Sequence, residues 1–146
     1  MFLAACTCYN RSALAFTAHL DKDITVLGAN QAIPFDNVTL NLGGAYDGRH
    51  SQFRAPVAGT YEFHMTLSTN AGYQLAADVM LNGKPVVKIR TGNDNQFNTA
   101  TNAVILHMNT GDDMWVQHSQ NITDSNKLYY GEGFLTSYSG HLVARD

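Results

Sequence analysis

One stretch of the chain, residues 59–67, constrains the fold more than any other. It reads GTYEFHMTL, and apolar side chains occupy every second position after the glycine. Successive side chains of a β-strand point to opposite faces, so the segment predicts a strand with one buried and one solvent-exposed face. The side chains expected in a core are those of Tyr61, Phe63, Met65 and Leu67.

The rest of the chain indicates many more strands. Charged residues make up only 14% of it, which favours a β-rich, turn-rich protein over a helical one. Asn82-Gly83 lies between two apolar runs and is a strong hairpin signal, because both residues accept positive φ. Roughly ten strand-like segments alternate with Gly and Asn turns, and none has a helical period. We therefore expect a single all-β sandwich or barrel.

Charge and motifs exclude several function classes. A formal charge of -3 leaves no basic stripe for nucleic acid, and no apolar run reaches the ~18 residues of a membrane-spanning helix. No P-loop, nucleophile elbow or dinucleotide fingerprint occurs, so the protein is predicted not to be an enzyme. The six histidines lack metal-ligand spacing, and His64 and His118 are expected on exposed strand faces.

Two segments are apolar on both faces of their predicted strands. Residues 103–106 read AVIL, and Ala76 and Met80 place apolar groups on the second face of another strand. A strand of a monomeric two-sheet sandwich should expose one face to solvent. Either a second copy of the chain covers these outer faces, or the strands are central and covered within one subunit.

Residues 1–12 are predicted to be an N-terminal stub that lies outside the strands. Cys6 and Cys8 form a C-x-C there that cannot staple the core, and a free or inter-chain thiol pair is favoured over a metal site. Three N-glycosylation sequons are compatible with a secreted, extracellular protein. They begin at Asn10, Asn37 and Asn121.

A family resemblance rests on seven spaced positions: Phe35, Asn41, Tyr46, Phe53, Gly59, Tyr61 and Phe63. At this spacing they resemble the signature of the complement component 1q globular head domain family. Residues 104–117 (VILHMNTGDDMWVQ) and 128–140 (LYYGEGFLTSYSG) are similar to two later segments of that family. The resemblance implies a globular domain over residues 13–146, folded as a ten-stranded jelly roll and assembled as a homotrimer. Met65, Tyr138 and His141 depart from the family pattern.

The loop at residues 91–102 is rich in oxygen donors, which calcium prefers. The resemblance implies a calcium site in about this region, near the apex of the trimer. Asp94 and Asn98 are the candidate ligands here, and Asp94 is the loop's one acidic residue. An ordinary polar loop is the alternative.

Ligand recognition is expected at polar loops, since no deep apolar cleft is indicated. Amide and aromatic groups can hydrogen-bond and stack on sugars, and the candidates are Asn95, Gln96, Asn121 and Tyr129. Basic residues, Arg90 among them, are candidates for anionic ligands.

The function expected from these features is that of a secreted, multivalent, lectin-like protein of innate immunity. It would recognise microbial or cell-surface glycans or anionic polymers. The alternatives are a trimeric signalling ligand for a protein receptor, similar to cerebellin or tumour necrosis factor, and a structural matrix trimer.

Overall fold

The computed structural model describes residues 13–25, 27–92, 94–119, 128–129 and 135–146. These residues form ten strands. In chain order they are β1 (Ala15–His19), β2 (Asn37–Leu42), β3 (Tyr46–Asp47), β4 (Gln52–Arg54), β5 (Gly59–Thr69), β6 (Gln74–Leu81), β7 (Lys84–Gly92), β8 (Asn98–Met108), β9 (Asp113–His118) and β10 (Ser137–Arg145).

The strands form two five-stranded antiparallel sheets, which confirms the expected all-β sandwich. The first sheet has the order β2-β1-β10-β5-β8, and the second has the order β3-β4-β9-β6-β7. Neighbours within each sheet are mostly distant in sequence, so long-range pairing builds each sheet. Buried side chains from both sheets hold the two layers together. No helix in the described ranges is long and apolar enough to cross a membrane.

The core between the sheets is built around aromatic side chains. The four core residues predicted on β5 have no exposed surface, as expected from the alternation. Phe16 lies near the centre, with its ring stacked on Tyr46 at a centroid distance of 4.4 Å and edge-on to Tyr138 at 4.9 Å. Gly140 leaves room for these rings, because a Cβ atom there would lie 2.5 Å from Cδ1 of Phe63.

The predicted hairpin turn is present at Asn82-Gly83, which joins β6 to β7. Both residues have positive φ, 49° and 84°, as a tight two-residue turn requires. The Asn82 side chain also bridges to the turn before β9. Its Nδ2 donates to Oδ1 of Asp112 at 2.9 Å, and its Oδ1 accepts from the backbone N–H of Asp113 at 2.9 Å.

The two segments with apolar residues on both faces differ in the structure. On β8, Ile105 points away from the core and is 63% exposed, so one chain leaves it uncovered. On β6, Ala76 and Met80 are 4% and 6% exposed, because β6 is a central strand flanked by β9 and β7. One chain therefore already covers both β6 residues, as the within-subunit alternative predicted.

The two histidines expected on exposed faces also differ. His64 is exposed on the outer face of the first sheet, as expected. His118 is 4% exposed, because it lies on the inward side of β9 at the end of the core. His118 shares the inward face with Met114 and Val116, so the alternation of β9, followed to its last residue, places it inward.

Four of the six large hydrophobic residues that are exposed among the described residues lie on the outer face of the first sheet. They are Leu40 and Leu42 on β2, Ile105 on β8 and Val143 on β10. Because β2 and β8 are the two edges of this sheet, Leu40 and Leu42 form one apolar edge and Ile105 forms the other. We call these the β2 edge patch and the β8 edge patch.

Candidate functional site

The loop between β7 and β8 is the first candidate site, and its geometry is organised by Asp94. Its Oδ1 accepts the backbone N–H of Gln96 at 2.8 Å and Nδ2 of Asn98 at 2.6 Å. The Asp94 carbonyl accepts the backbone N–H of Gly72 at 2.7 Å, which holds the loop against the turn before β6. Asn95 and Gln96 are exposed, so their amides are available to a ligand.

Tyr129 joins this loop from a distant part of the chain. Its ring meets the Phe97 ring edge-on at a centroid distance of 5.2 Å, and its backbone N–H donates to the carbonyl of Ser68 at 3.1 Å. The structure therefore brings Asn95, Gln96 and Tyr129 to one end of the sandwich. Asn121 lies outside the described residues.

The described residues of this loop offer few oxygen ligands for the predicted calcium ion. No group of three or more His, Cys, Asp or Glu side chains that could hold a metal occurs among the described residues. Asp94 supplies one carboxylate, and Asn98 turns its amide nitrogen toward it, whereas calcium takes oxygen ligands. In this arrangement one chain does not supply a calcium cage, and calcium binding stays a prediction.

Arg90 lies on a different surface from the loop residues with which it was predicted. It is exposed on β7, where its backbone pairs with Ala76 of β6. With Asp78, Lys88 and Ser119 it lines a hollow of about 210 Å³ on the outer face of the second sheet.

The outer face of the second sheet presents three rows of side chains, which we call the outer-face platform. Strand registers and the backbone hydrogen bond from Ser119 to Ala76 set residues of β9, β6 and β7 side by side. In that strand order, the rows are Trp115–Met80–Pro85, Gln117–Asp78–Lys88 and Ser119–Ala76–Arg90.

Hydrogen bonds fix the β9 side of the platform. The Trp115 Nε1–H donates to Oε1 of Gln117 at 2.9 Å, and Gln117 Nε2 donates to Oδ1 of Asn30 at 3.3 Å. The indole and both amides are therefore held in one orientation. Sequence reasoning did not single out Trp115, Asp78 or Gln117, although all three occupy outward positions of strands that it had recognised.

The fold defines a class of protein. The chain superposes on the globular domain of zebrafish complement 1qA with a TM-score of 0.73 at 15% identity, covering 91% of this chain and 99% of that one. It superposes on Eiger TNF from S. frugiperda with a TM-score of 0.72 at 10% identity, covering 93% and 96%. The architecture is thus the jelly roll of C1q and TNF domains.

Within that class, a family model described as the C1q domain matches residues 15–143. The chain belongs to the C1q domain family, as the spaced aromatic and glycine positions predicted.

Relatives of known name support the same family. Complement C1q tumor necrosis factor-related protein 2 of Mus musculus is 27% identical over 143 residues, which cover 97% of this chain and 47% of the relative. Collagen alpha-1(X) chain of Mus musculus is 30% identical over 131 residues, covering 89% and 18%. The chain thus spans about half, or less, of the length of these relatives.

Proposed function

We propose that this protein is a secreted homotrimer that recognises microbial or cell-surface glycans by multivalent binding, in innate immunity. The observation that carries the proposal is the separation of two kinds of surface. The apolar edge patches lie on the first sheet, whereas the polar loop at residues 94–98 and the second sheet carry exposed hydrogen-bonding groups. The apolar edge patches suit contacts between subunits, and the polar loop and the second sheet stay available to ligands.

The placement of the edge patches supports a closed ring. Leu42 and Ile105 lie in one line across the sheet, on opposite edges, because the register runs from Leu42 through Ala15, His141 and Glu62 to Ile105. Two different patches on opposite edges favour a head-to-tail contact between copies, and such a contact forms a ring when its rotation closes. The trimeric assembly of the family corresponds to three copies.

Multivalency compensates for shallow sites. A few hydrogen bonds and one stacked ring give roughly millimolar affinity. Three sites on a rigid trimer can raise the apparent affinity for a repetitive surface by about 10²–10⁴. Anionic polymers are a second ligand class, for which the exposed side chains of Lys88 and Arg90 are available.

Calcium binding by this loop would require the assembled trimer. One Asp94 carboxylate per chain is a weak ligand set, but three copies around an axis would supply three. The loop amides would have to reorient for their oxygens to join the coordination.

A trimeric signalling ligand is the second candidate function. It is favoured by the fold likeness to TNF ligands and by the exposed Phe97, which is 44% exposed beside Tyr129. An exposed aromatic pair at the end of a sandwich suits a protein contact as well as a sugar. One tight protein partner would favour this candidate over glycan recognition.

The experiment compares binding to polymeric glycan coated on a surface with binding to the soluble monosaccharide, with and without a chelator. We expect strong retention on the polymer and weak binding of the free sugar. Equal affinity for both would show a single deep site and contradict the avidity mechanism. Loss of binding in chelator would support calcium at the Asp94 loop, and unchanged binding would count against it.

A further inference from the structure

We propose that the outer-face platform is a binding site for neutral pyranose sugars, with β-linked glucose as its preferred ring. The inference rests on the proposed glycan recognition and adds a site on the sheet face, away from the loop at residues 94–98. Its ligand chemistry follows from the three rows of side chains that cross β9, β6 and β7.

The first row, Trp115–Met80–Pro85, supplies an apolar floor. The Trp115 indole is partly exposed, Met80 is nearly buried beside it, and Pro85 is exposed on the other side. A β-glucopyranoside carries its hydroxyl groups equatorially, so both faces of its ring present C–H groups. Such a ring can lie on an aromatic and aliphatic floor while its hydroxyls point sideways to polar groups.

The second row supplies a nearly buried carboxylate oxygen that is paired with a cation but accepts no hydrogen bond from the described residues. Asp78 is 8% exposed, and its Oδ1 makes no hydrogen bond among the residues that the structure describes. Lys88 Nζ lies 3.5 Å from that oxygen. A buried acceptor without a hydrogen bond is costly, and a sugar hydroxyl is a suitable donor.

The Lys88 side chain lies over the Asp78 carboxylate and can move away from it. Its side chain is 69% exposed, and long exposed lysine side chains change rotamer readily. Rotation of Lys88 would open Asp78 to a ligand that lies on the first row. The amide of Gln117, held by Trp115 and Asn30, would then border the ligand on the opposite side.

Space and charge agree with this assignment. A hollow of about 430 Å³ is lined by Trp115, Met80, Pro85 and the second row, within the range of roughly 300–1,000 Å³ usual for ligand sites. The smaller hollow at Arg90 shares Asp78 and Lys88 with it, so a second sugar ring of a chain can follow the first. In the second row the Asp78 carboxylate and the Lys88 ammonium offset each other, so this hollow presents no net charge, which suits a neutral ring.

The test uses Trp115 as its own reporter, because it is the single tryptophan of the chain. The full protein is titrated with methyl β-D-glucopyranoside and cellobiose while tryptophan fluorescence is recorded, with sorbitol as the acyclic control. We expect a saturable change at roughly millimolar glucoside, tighter binding of cellobiose, and no change with sorbitol. A glucoside response no larger than that of sorbitol would overturn the proposal.

Two variants with opposite expectations test whether Asp78 is the acceptor for the sugar. Asp78→Asn should weaken glucoside binding roughly tenfold or more, because it removes a charged acceptor. Lys88→Ala should leave it equal or tighter. Asp21→Asn, an exposed acid far along the chain from these strands, is the matched control with unchanged binding. If Lys88→Ala loses glucoside binding and Asp78→Asn keeps it, Asp78 is not the acceptor and the proposed site is wrong.

Failure of this inference is distinguishable from failure of the proposed function. If Asp78→Asn retains wild-type binding to the coated polymer and to the free sugar, the platform is not the site, and glycan recognition still stands. If wild-type protein shows the saturable fluorescence change but no retention on any polymer, the platform binds sugar and the multivalent function is wrong.

Discussion

Two buried tyrosines of the core differ in whether their hydroxyl groups are satisfied. The Tyr46 hydroxyl donates to the carbonyl of Phe35 at 2.6 Å. The Tyr138 hydroxyl has no hydrogen-bond partner among the described residues, and burial raises the pKa of Tyr138 well above its usual value. Tyr138 also stands where the resembled family usually has phenylalanine, so the hydroxyl is an addition that the core does not use.

We predict that Tyr138→Phe and Tyr46→Phe change stability in opposite directions. Removing the unsatisfied hydroxyl of Tyr138 should raise the free energy of unfolding by about 1 kcal/mol, and removing that of Tyr46 should lower it by about 1–3 kcal/mol, since the Phe35 carbonyl loses its donor. Urea denaturation of the two variants and wild type measures both. A destabilised Tyr138→Phe protein would mean that its hydroxyl has a partner elsewhere in the chain.

At the scale of elements, Asn82 links the β6–β7 hairpin to the turn that precedes β9. The Asp112 carboxylate accepts from Asn82 Nδ2 at 2.9 Å and from the backbone N–H of Asn109 at 2.8 Å. These two hydrogen bonds, the one from Asn82 first, lower the pKa of Asp112. The hairpin and the neighbouring turn are therefore tied together by an ionised side chain.

We predict that the hydrogen bonds of the Asp112 carboxylate contribute less to stability in acid. A carboxylate whose folded pKa lies below the unfolded value of about 3.9 contributes stability above that value and loses it as pH falls through the folded pKa. Asp112→Asn should lower the free energy of unfolding by about 1 kcal/mol or less at pH 7, because the carboxylate is near solvent. Its difference from wild type should shrink as pH drops below about 4. Urea midpoints across this pH range measure the effect, with Asp21→Asn as control; a gap that does not change with pH would contradict it.

Two substitutions of Asn82 separate its role in the tight turn from its side-chain hydrogen bonds to the turn before β9. Asn82→Gly keeps the positive φ of the turn and loses the tie, whereas Asn82→Ala loses both. The glycine variant should be less stable than Asp112→Asn, because it also loses the hydrogen bond from the Asp113 backbone N–H. The alanine variant should be the least stable of the three, and urea denaturation measures the order.

How far the sequence predicts the structure also depends on the element. The alternation of β5 places its core side chains correctly, because a strand buried on one face has a strongly specified register. The Asn-Gly turn predicts Leu81 opposite Lys84 and Met80 opposite Pro85, as observed. Continued without interruption, that register would set Val87 opposite Asp78.

The structure instead has a register shift at Val86, which places Val87 opposite Val79 and Lys88 opposite Asp78. The bulge turns Lys88 and Arg90 outward and Ile89 inward. The bulge follows Pro85, a residue type found on edge strands and at bulges, but its position, and with it the pairing of Lys88 with Asp78, could not be predicted from strand patterns. The contact of Phe97 with Tyr129 was equally hidden, since it joins loops that are far apart in the chain.

At the scale of the whole molecule, we predict that Ile105→Asp abolishes assembly. Wild-type protein should have three times the chain mass of 16.0 kDa in solution. Placing three unpaired carboxylates in the contacts should leave a folded monomer, because an unpaired charge in an apolar contact is costly. Light scattering coupled to gel filtration measures the mass.

Val86→Asp is the matched control for this change, since Val86 is an exposed valine on the second sheet. It should remain trimeric. A monomeric wild type at micromolar concentration, or a trimeric Ile105→Asp variant, would contradict the role of the β8 edge patch.

Because the β2 and β8 edge patches differ, damage to one leaves the other intact in the same subunit. A subunit with a polar residue at Ile105 still offers Leu40 and Leu42 to a normal neighbour. It would therefore enter rings alongside normal subunits, and each altered subunit would leave one contact of its ring open. In an organism carrying one altered and one normal copy of the gene, such a change would act dominantly. Most rings would contain at least one altered subunit, although half of the subunits are normal.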